Sequence, residues 1–180
     1  MTTAGLVLAA GAGRRYGMPK ALVHYEGRLL VQRAVAVLES AGCPATVVLG
    51  AAAEEVRAAA GDLVSITNPD WDTGMGSSLR AGLRHLAGTD ATAAVILLVD
   101  MPGVTPEAVR RIVAHARPDA LVTGGYGDRR GHPVLIGRDH WNGVAATATG
   151  DRGARDYLRA NQVMVIPVGD IADDTDIDFP

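Results

Sequence analysis

Apolar runs of strand length alternate along this chain with stretches whose apolar residues recur every three or four positions. The strand-like runs are Gly5–Ala10, Ala45–Leu49, Leu63–Thr67, Ala93–Val99, Ala120–Thr123, Pro133–Ile136 and Val163–Val168. Between them lie helical patterns over Leu29–Ala41, Ala53–Ala60, Ser77–Leu86, Pro106–Ala116 and Gly153–Asn161. Val31, Ala34, Val35 and Leu38 follow the i, i+3, i+4, i+7 spacing of one buried helix face. Ala93–Val99 is apolar throughout, as a strand covered on both faces must be. Thr105-Pro106-Glu107 reads as a helix start, with a threonine cap, a proline at the first position and an acid in the first turn. Ser77 or Ser78 is expected to cap the helix that follows it. Ala145–Thr149 carries no pattern and reads as a surface connection.

This alternation predicts a three-layer α/β fold with a mostly parallel sheet, formed by residues 1–180 as one domain. In such sheets ligands bind beyond the carboxyl ends of the strands. Four loops qualify: Gly11–Lys20, Asn68–Ser78, Asp100–Val104 and Gly124–His132.

Composition narrows the function. A net charge of −3 argues against a general nucleic-acid binder. One cysteine, Cys43, excludes an intramolecular disulfide and reads as a small buried thiol. No secretory pattern opens the chain and no segment is long enough to span a bilayer, so a cytoplasmic protein without a membrane partner is expected.

The first loop carries the sharpest chemistry. Leu8-Ala9-Ala10-Gly11-Ala12-Gly13-Arg14-Arg15-Tyr16-Gly17-Met18-Pro19-Lys20 runs from a buried strand into glycines, two arginines and a lysine. Glycines let the backbone approach a ligand and present N–H groups to an anion. Three cations mean that the ligand carries several negative charges; a tight turn alone would need none. The glycines are spaced one residue too widely for a dinucleotide fingerprint, and no ribose-binding acid follows the second strand. No Gly-Lys pair exists, which excludes a P-loop. Elsewhere, Asp100 ends the longest apolar run, where a carboxylate suits Mg²⁺. Gly124–His132 reads as a hairpin with a basic tip. Asp176-Ile177-Asp178 alternates, so both carboxylates can face one side and join Asp100 in holding a metal. The segment around Ser77 and Ser78 contains no G-x-S-x-G elbow, so a serine hydrolase is poorly supported.

Taken together, these motifs resemble the molybdenum-cofactor nucleotidyltransferases, the MobA-like branch of the NTP transferases. The resemblance is carried by the first loop, by Asn68-Pro69-x-Trp71-x-x-Gly74-Met75-x-x-Ser78-Leu79, by Asp100-Met101-Pro102, by Gly131-His132-Pro133-Val134 and by Gly150-Asp151-x-Gly153-Ala154-Arg155. It implies the Rossmann-like, three-layer α/β/α nucleotide-diphospho-sugar transferase fold and the transfer of a nucleotidyl group. It implies nucleotide contacts from Leu8, Ala10, Gly11, Gly13, Arg14, Arg15, Lys20, Asn68, Gly76 and Ser78. Arg15, Lys20 and Asp100 would be catalytic, Asp100 and Asp178 would hold Mg²⁺, and Gly124 and His132 would face the acceptor. Ala9-Ala10-Gly11 resembles the cytidylyltransferase branch. The implied substrates are CTP and an anionic phosphate acceptor of the molybdopterin type, with a molybdoenzyme or an insertion chaperone as protein partner. A GTP-dependent cofactor guanylyltransferase and a sugar- or alcohol-phosphate nucleotidyltransferase are the alternatives within this class. Outside it stand an NAD(P)-binding oxidoreductase and a non-catalytic nucleotide-binding cofactor chaperone.

Overall fold

The computed structural model describes residues 1–180. Strand β1 (Thr3–Ala9) is followed by the first loop, a two-strand hairpin of β2 (His24–Tyr25) and β3 (Arg28–Leu29), and helix α1 (Leu30–Ser40). Next come β4 (Ala45–Leu49), α2 (Ala53–Ala60), β5 (Ser65–Thr67), α3 (Met75–Ala87), β6 (Ala93–Leu98) and α4 (Pro106–Val113). The chain then forms β7 (Leu121–Tyr126), β8 (Arg129–Gly137), α5 (Trp141–Thr147), α6 (Arg155–Ala160) and β9 (Met164–Pro167).

Seven strands make one sheet in the order β5-β4-β1-β6-β8-β7-β9. β8 alone runs antiparallel to its neighbours, so the sheet is mostly parallel, as the alternating pattern predicts. The chain leaves β1 toward β4 and returns on the other side at β6. The reversal opens a crevice at the carboxyl ends of these strands, where Leu8 pairs with Leu98.

The pleat of β1 divides the core. Val7 and Ala9 pack with α1 and α2 residues on one face, against Val31, Leu38 and Val56. Leu6 and Leu8 face α3 and α5 on the other, against Leu79, Leu83 and Val144. The periodic stripe of α1 is buried as its spacing requires, and Cys43 is buried beneath that helix. The Thr105 hydroxyl accepts from the Ala108 amide at 3.2 Å and caps α4.

Three expectations are corrected. Ala145–Thr149 is at the surface but is not a mere connection: Ala145–Thr147 form the last turn of α5, and Ala148 is fully buried. α3 begins two residues earlier than its serines, at Met75, so neither Ser77 nor Ser78 is its cap. β8 extends from Pro133 back to Arg129, because the hairpin continues to pair with β7 past an irregularity at Thr123 and Gly124.

Candidate active site

The loop after β1 is shaped at Gly13, which lies at φ +62°. A Cβ there would fall onto the Met18 carbonyl, so the loop closes only around a bare backbone. The Gly17 amide donates to the Gly13 carbonyl at 2.8 Å and locks this turn. The chain then returns through Pro19, and Lys20 reaches across the crevice to the end of β6.

A cavity of about 460 Å³ lies between the loop and β6. Of the residues expected to touch a nucleotide, Leu8, Ala10, Gly11, Gly13, Arg14, Arg15, Lys20 and Ser78 line it. Asn68 and Gly76 do not. The buried Asn68 amide donates to Ser77 Oγ at 2.8 Å and to Ser78 Oγ at 3.0 Å, while its carbonyl accepts from the Asp70 amide. Asn68 therefore fixes the first turn of α3. Gly76 packs against the backbone of Ala148 and Thr149, where a Cβ would lie 2.7 Å from the Thr149 nitrogen. Trp71, Asp72, Met75 and Asp151 also line the cavity, although the sequence reading assigned them no role. Trp71, Met75 and Asp151 are specified positions of the family motifs, and Asp72 stands beside Trp71 in the same segment.

Opposite the cations stand three carboxylates. Asp100, Asp176 and Asp178 can bring one oxygen each within 4.8 Å of the others. Asp100 follows β6, and the two others come from the irregular tail. The Ile177 amide donates to the Asp100 carbonyl at 2.9 Å and ties the tail to the end of that strand. Lys20 Nζ sits among them, 2.8 Å from Asp100 Oδ2 and 3.0 Å from Asp178 Oδ1. Burial opposes the Lys20 charge, but these two hydrogen bonds outweigh it and hold its pKa above the ordinary lysine value. The same ammonium holds Asp178 below the usual carboxylate range, with Arg15 pulling the same way.

A second cavity of about 970 Å³ adjoins the first, and Leu8, Met75, Leu98 and Asp151 border both. Its walls include Leu79, Ile96 and Val134, and its rim carries Arg129, Arg130, Arg152, Arg155 and Arg159. His132 lines it, and burial pushes the imidazole pKa down to about 4, so the ring is neutral at pH 7. Gly124, expected beside the acceptor, is not on this wall. It lies within β7, packed against the His132 carbonyl and Val168.

A family description, the MobA-like NTP transferase domain, matches residues 5–165. The chain belongs to this family. Among similar proteins is one named nicotine blue oxidoreductase from Paenarthrobacter nicotinovorans, 39% identical over 172 residues, spanning 89% of this chain and 83% of that protein. A molybdenum cofactor guanylyltransferase from Rhodobacter capsulatus is 32% identical over 143 residues, spanning 78% of this chain and 66% of that protein. The crystal structure of Rv0371c from Mycobacterium tuberculosis H37Rv superposes with a TM-score of 0.82 at 30% identity, covering 98% of this chain and 93% of that one. A manganese complex of Rv0371c superposes at 0.78 and 29% identity, covering 98% and 94%. The three-layer fold of this MobA-like chain is thus shared with solved relatives over nearly its whole length.

Proposed function

We propose that the chain transfers CMP from CTP to the phosphate of a molybdopterin-type cofactor and releases pyrophosphate. One observation carries the reading: across a single cavity, Arg14, Arg15 and Lys20 on a bare-backbone loop face the carboxylates of Asp100 and Asp178, with Asp176 clustered beside them at the border of the second cavity. The cations fit a polyphosphate. The carboxylates offer only hard oxygen donors, the set that Mg²⁺ or Mn²⁺ takes alongside phosphate oxygens. Such an ion, held by Asp100 with Asp178 and Asp176, would neutralise phosphate oxygens and raise the electrophilicity of the α-phosphorus.

The protein's own groups do the rest. Lys20, held at rest by Asp100 and Asp178, turns toward the phosphates and, with Arg15, stabilises the charge that grows on the departing pyrophosphate. Backbone amides around Gly11 and Gly13 follow the phosphate chain. Ser78, whose Oγ accepts from Asn68, keeps its own proton to donate toward the nucleoside. The second cavity receives the acceptor, with its arginine rim drawing the phosphate and neutral His132 facing the body of the molecule. A phosphate monoester is already a nucleophile at neutral pH, so no side chain serves as general base.

The preference for CTP is supported by the resemblance of Ala9-Ala10-Gly11 to the cytidylyltransferase branch, and Ala10 lines the cavity. The guanylyltransferase name of the Rhodobacter relative makes GTP the competing nucleotide. The name of the Paenarthrobacter relative motivates a second reading, a redox reaction in the same clefts. The deciding experiment measures pyrophosphate release from each of four NTPs, with and without molybdenum-loaded molybdopterin, alongside NAD(P)H oxidation on the same preparation. Acceptor-dependent release from CTP is expected. Release from GTP alone overturns the base preference, and NAD(P)H oxidation without any release overturns nucleotidyl transfer.

A further inference from the structure

The tail that carries Asp176 and Asp178 has no regular structure and is stitched down at few points. The Asp173 amide donates to the Gly103 carbonyl at 3.1 Å, and the Ile177 amide to the Asp100 carbonyl at 2.9 Å. Between these stitches the one tie to another element is Asp174. Its carboxylate is 8% exposed and lies against the bare backbone of Gly131, in the space that a Cβ at that position would fill. Arg129, on the same strand β8, grips it at 3.0 Å (Oδ1) and 3.4 Å (Oδ2). The Arg129 guanidinium lies 5.9 Å from the centroid of the Tyr126 ring, and the Tyr126 hydroxyl donates to the His132 carbonyl at 2.6 Å. The brace therefore runs from the wall of the second cavity to the carboxylates of the first.

We propose that Asp174, seated on Gly131 and gripped by Arg129, is a positioning residue that holds Asp176 and Asp178 in register with Asp100. The proposal deepens the metal-dependent reading above and rests on it. The hairpin that lines the acceptor cavity and the tail that carries two metal ligands then form one mechanical unit. Gly131 has a defined task in this arrangement: a Cβ there would fall 2.0 Å from Asp174 Oδ2 and displace the carboxylate from its seat.

Electrostatics make the proposal testable. Removing the Arg129 charge deletes a cation from the cavity that Asp176 borders, so Coulomb's law alone predicts no weakening of a dication. A positioning role predicts the reverse. Mn²⁺ is titrated into the full chain with saturating CTP, and bound ion is followed by electron paramagnetic resonance. Arg129→Gln and the charge-neutral Gly131→Ala should each weaken Mn²⁺ about tenfold, the usual loss when an outer partner of a metal ligand is removed. Arg129→Lys should recover most of it. CTP affinity at saturating Mn²⁺ should change little, and circular dichroism should show both variants folded at the assay temperature. Unchanged or tighter Mn²⁺ binding in both variants overturns the brace, even where pyrophosphate release is intact. A wild type that releases no pyrophosphate, while the variants still lose Mn²⁺, overturns the reaction and leaves the brace standing. No Mn²⁺ binding by the wild type overturns both.

Discussion

Lys20 is the residue on which the site turns. At rest its ammonium neutralises Asp100 and Asp178, and in the reaction it must leave them for the phosphates. Loss of one preorganised charge contact typically costs about 3 kcal/mol, roughly a hundredfold in rate. Lys20→Ala and Asp100→Asn should each lower kcat for pyrophosphate release by at least that factor while circular dichroism stays unchanged; near-wild-type turnover in either would remove it from the mechanism. His132 makes a second, independent prediction. Its folded pKa lies near 4, below the 6.5 of a free imidazole, so the unfolded chain takes up a proton the folded ring refuses. Its contribution to stability is therefore complete above about pH 6.5 and is lost as pH falls toward 4, by at most about 3 kcal/mol. Thermal melts from pH 4.5 to 7.5 should show a shallower decline for His132→Gln than for the wild type; equal slopes would mean that the ring titrates normally. Asp100 was legible in the sequence because a charge directly follows an apolar strand, and Lys20 because it closes a loop of glycines and arginines. Asn68 and Gly76 lie off the first cavity, where Asn68 hydrogen-bonds both serines of α3 and Gly76 lets that helix approach Thr149; neither placement leaves a signal in the sequence.

The elements were legible where burial imposes a period. α1 announces itself through Val31, Ala34, Val35 and Leu38, all buried on one stripe. α5 does not, because Trp141 and Val144 are its only buried large residues and its last turn is alanine and threonine. The β2–β3 hairpin is two residues per strand, too short to show alternation. The tail is the extreme case: its carboxylates are placed by single hydrogen bonds and by Asp174, none of which leaves a period in the chain. The first loop is the element whose conformation carries most function. Its turn depends on Gly13 at positive φ with no room for a Cβ. Gly13→Ala should open the loop and weaken CTP at least tenfold by calorimetry, through lost amide contacts and displaced arginines. The sheet, held elsewhere, should keep its far-ultraviolet spectrum. CTP affinity equal to the wild type would show that the loop is not the phosphate cradle.

At the scale of the whole molecule, the problem is charge. The protein carries −3 and must bind a triphosphate next to an anionic acceptor. The second cavity meets this with five arginines against Asp128, Asp151, Asp174 and Asp176, His132 being neutral. The first cavity does not: Arg14, Arg15 and Lys20 face Asp72, Asp100, Asp151 and Asp178, so the balance there is negative before any ligand arrives. A triphosphate entering alone would meet repulsion from the carboxylates and would have to compete with them for Lys20. A dication held by Asp100, Asp176 and Asp178 would offset the carboxylate charge and leave the Lys20 ammonium available to the phosphates. Binding of metal and nucleotide should therefore be strongly coupled. By calorimetry, CTP should bind at least about a hundredfold more weakly in EDTA than with Mg²⁺ or Mn²⁺, a difference of roughly 3 kcal/mol. The gap should narrow in Lys20→Ala, whose carboxylates lack a resident cation and can take the ion before the nucleotide. Equal CTP affinity with and without metal in the wild type would mean that the three carboxylates serve only to hold Lys20, and the loop alone would then have to account for nucleotide binding.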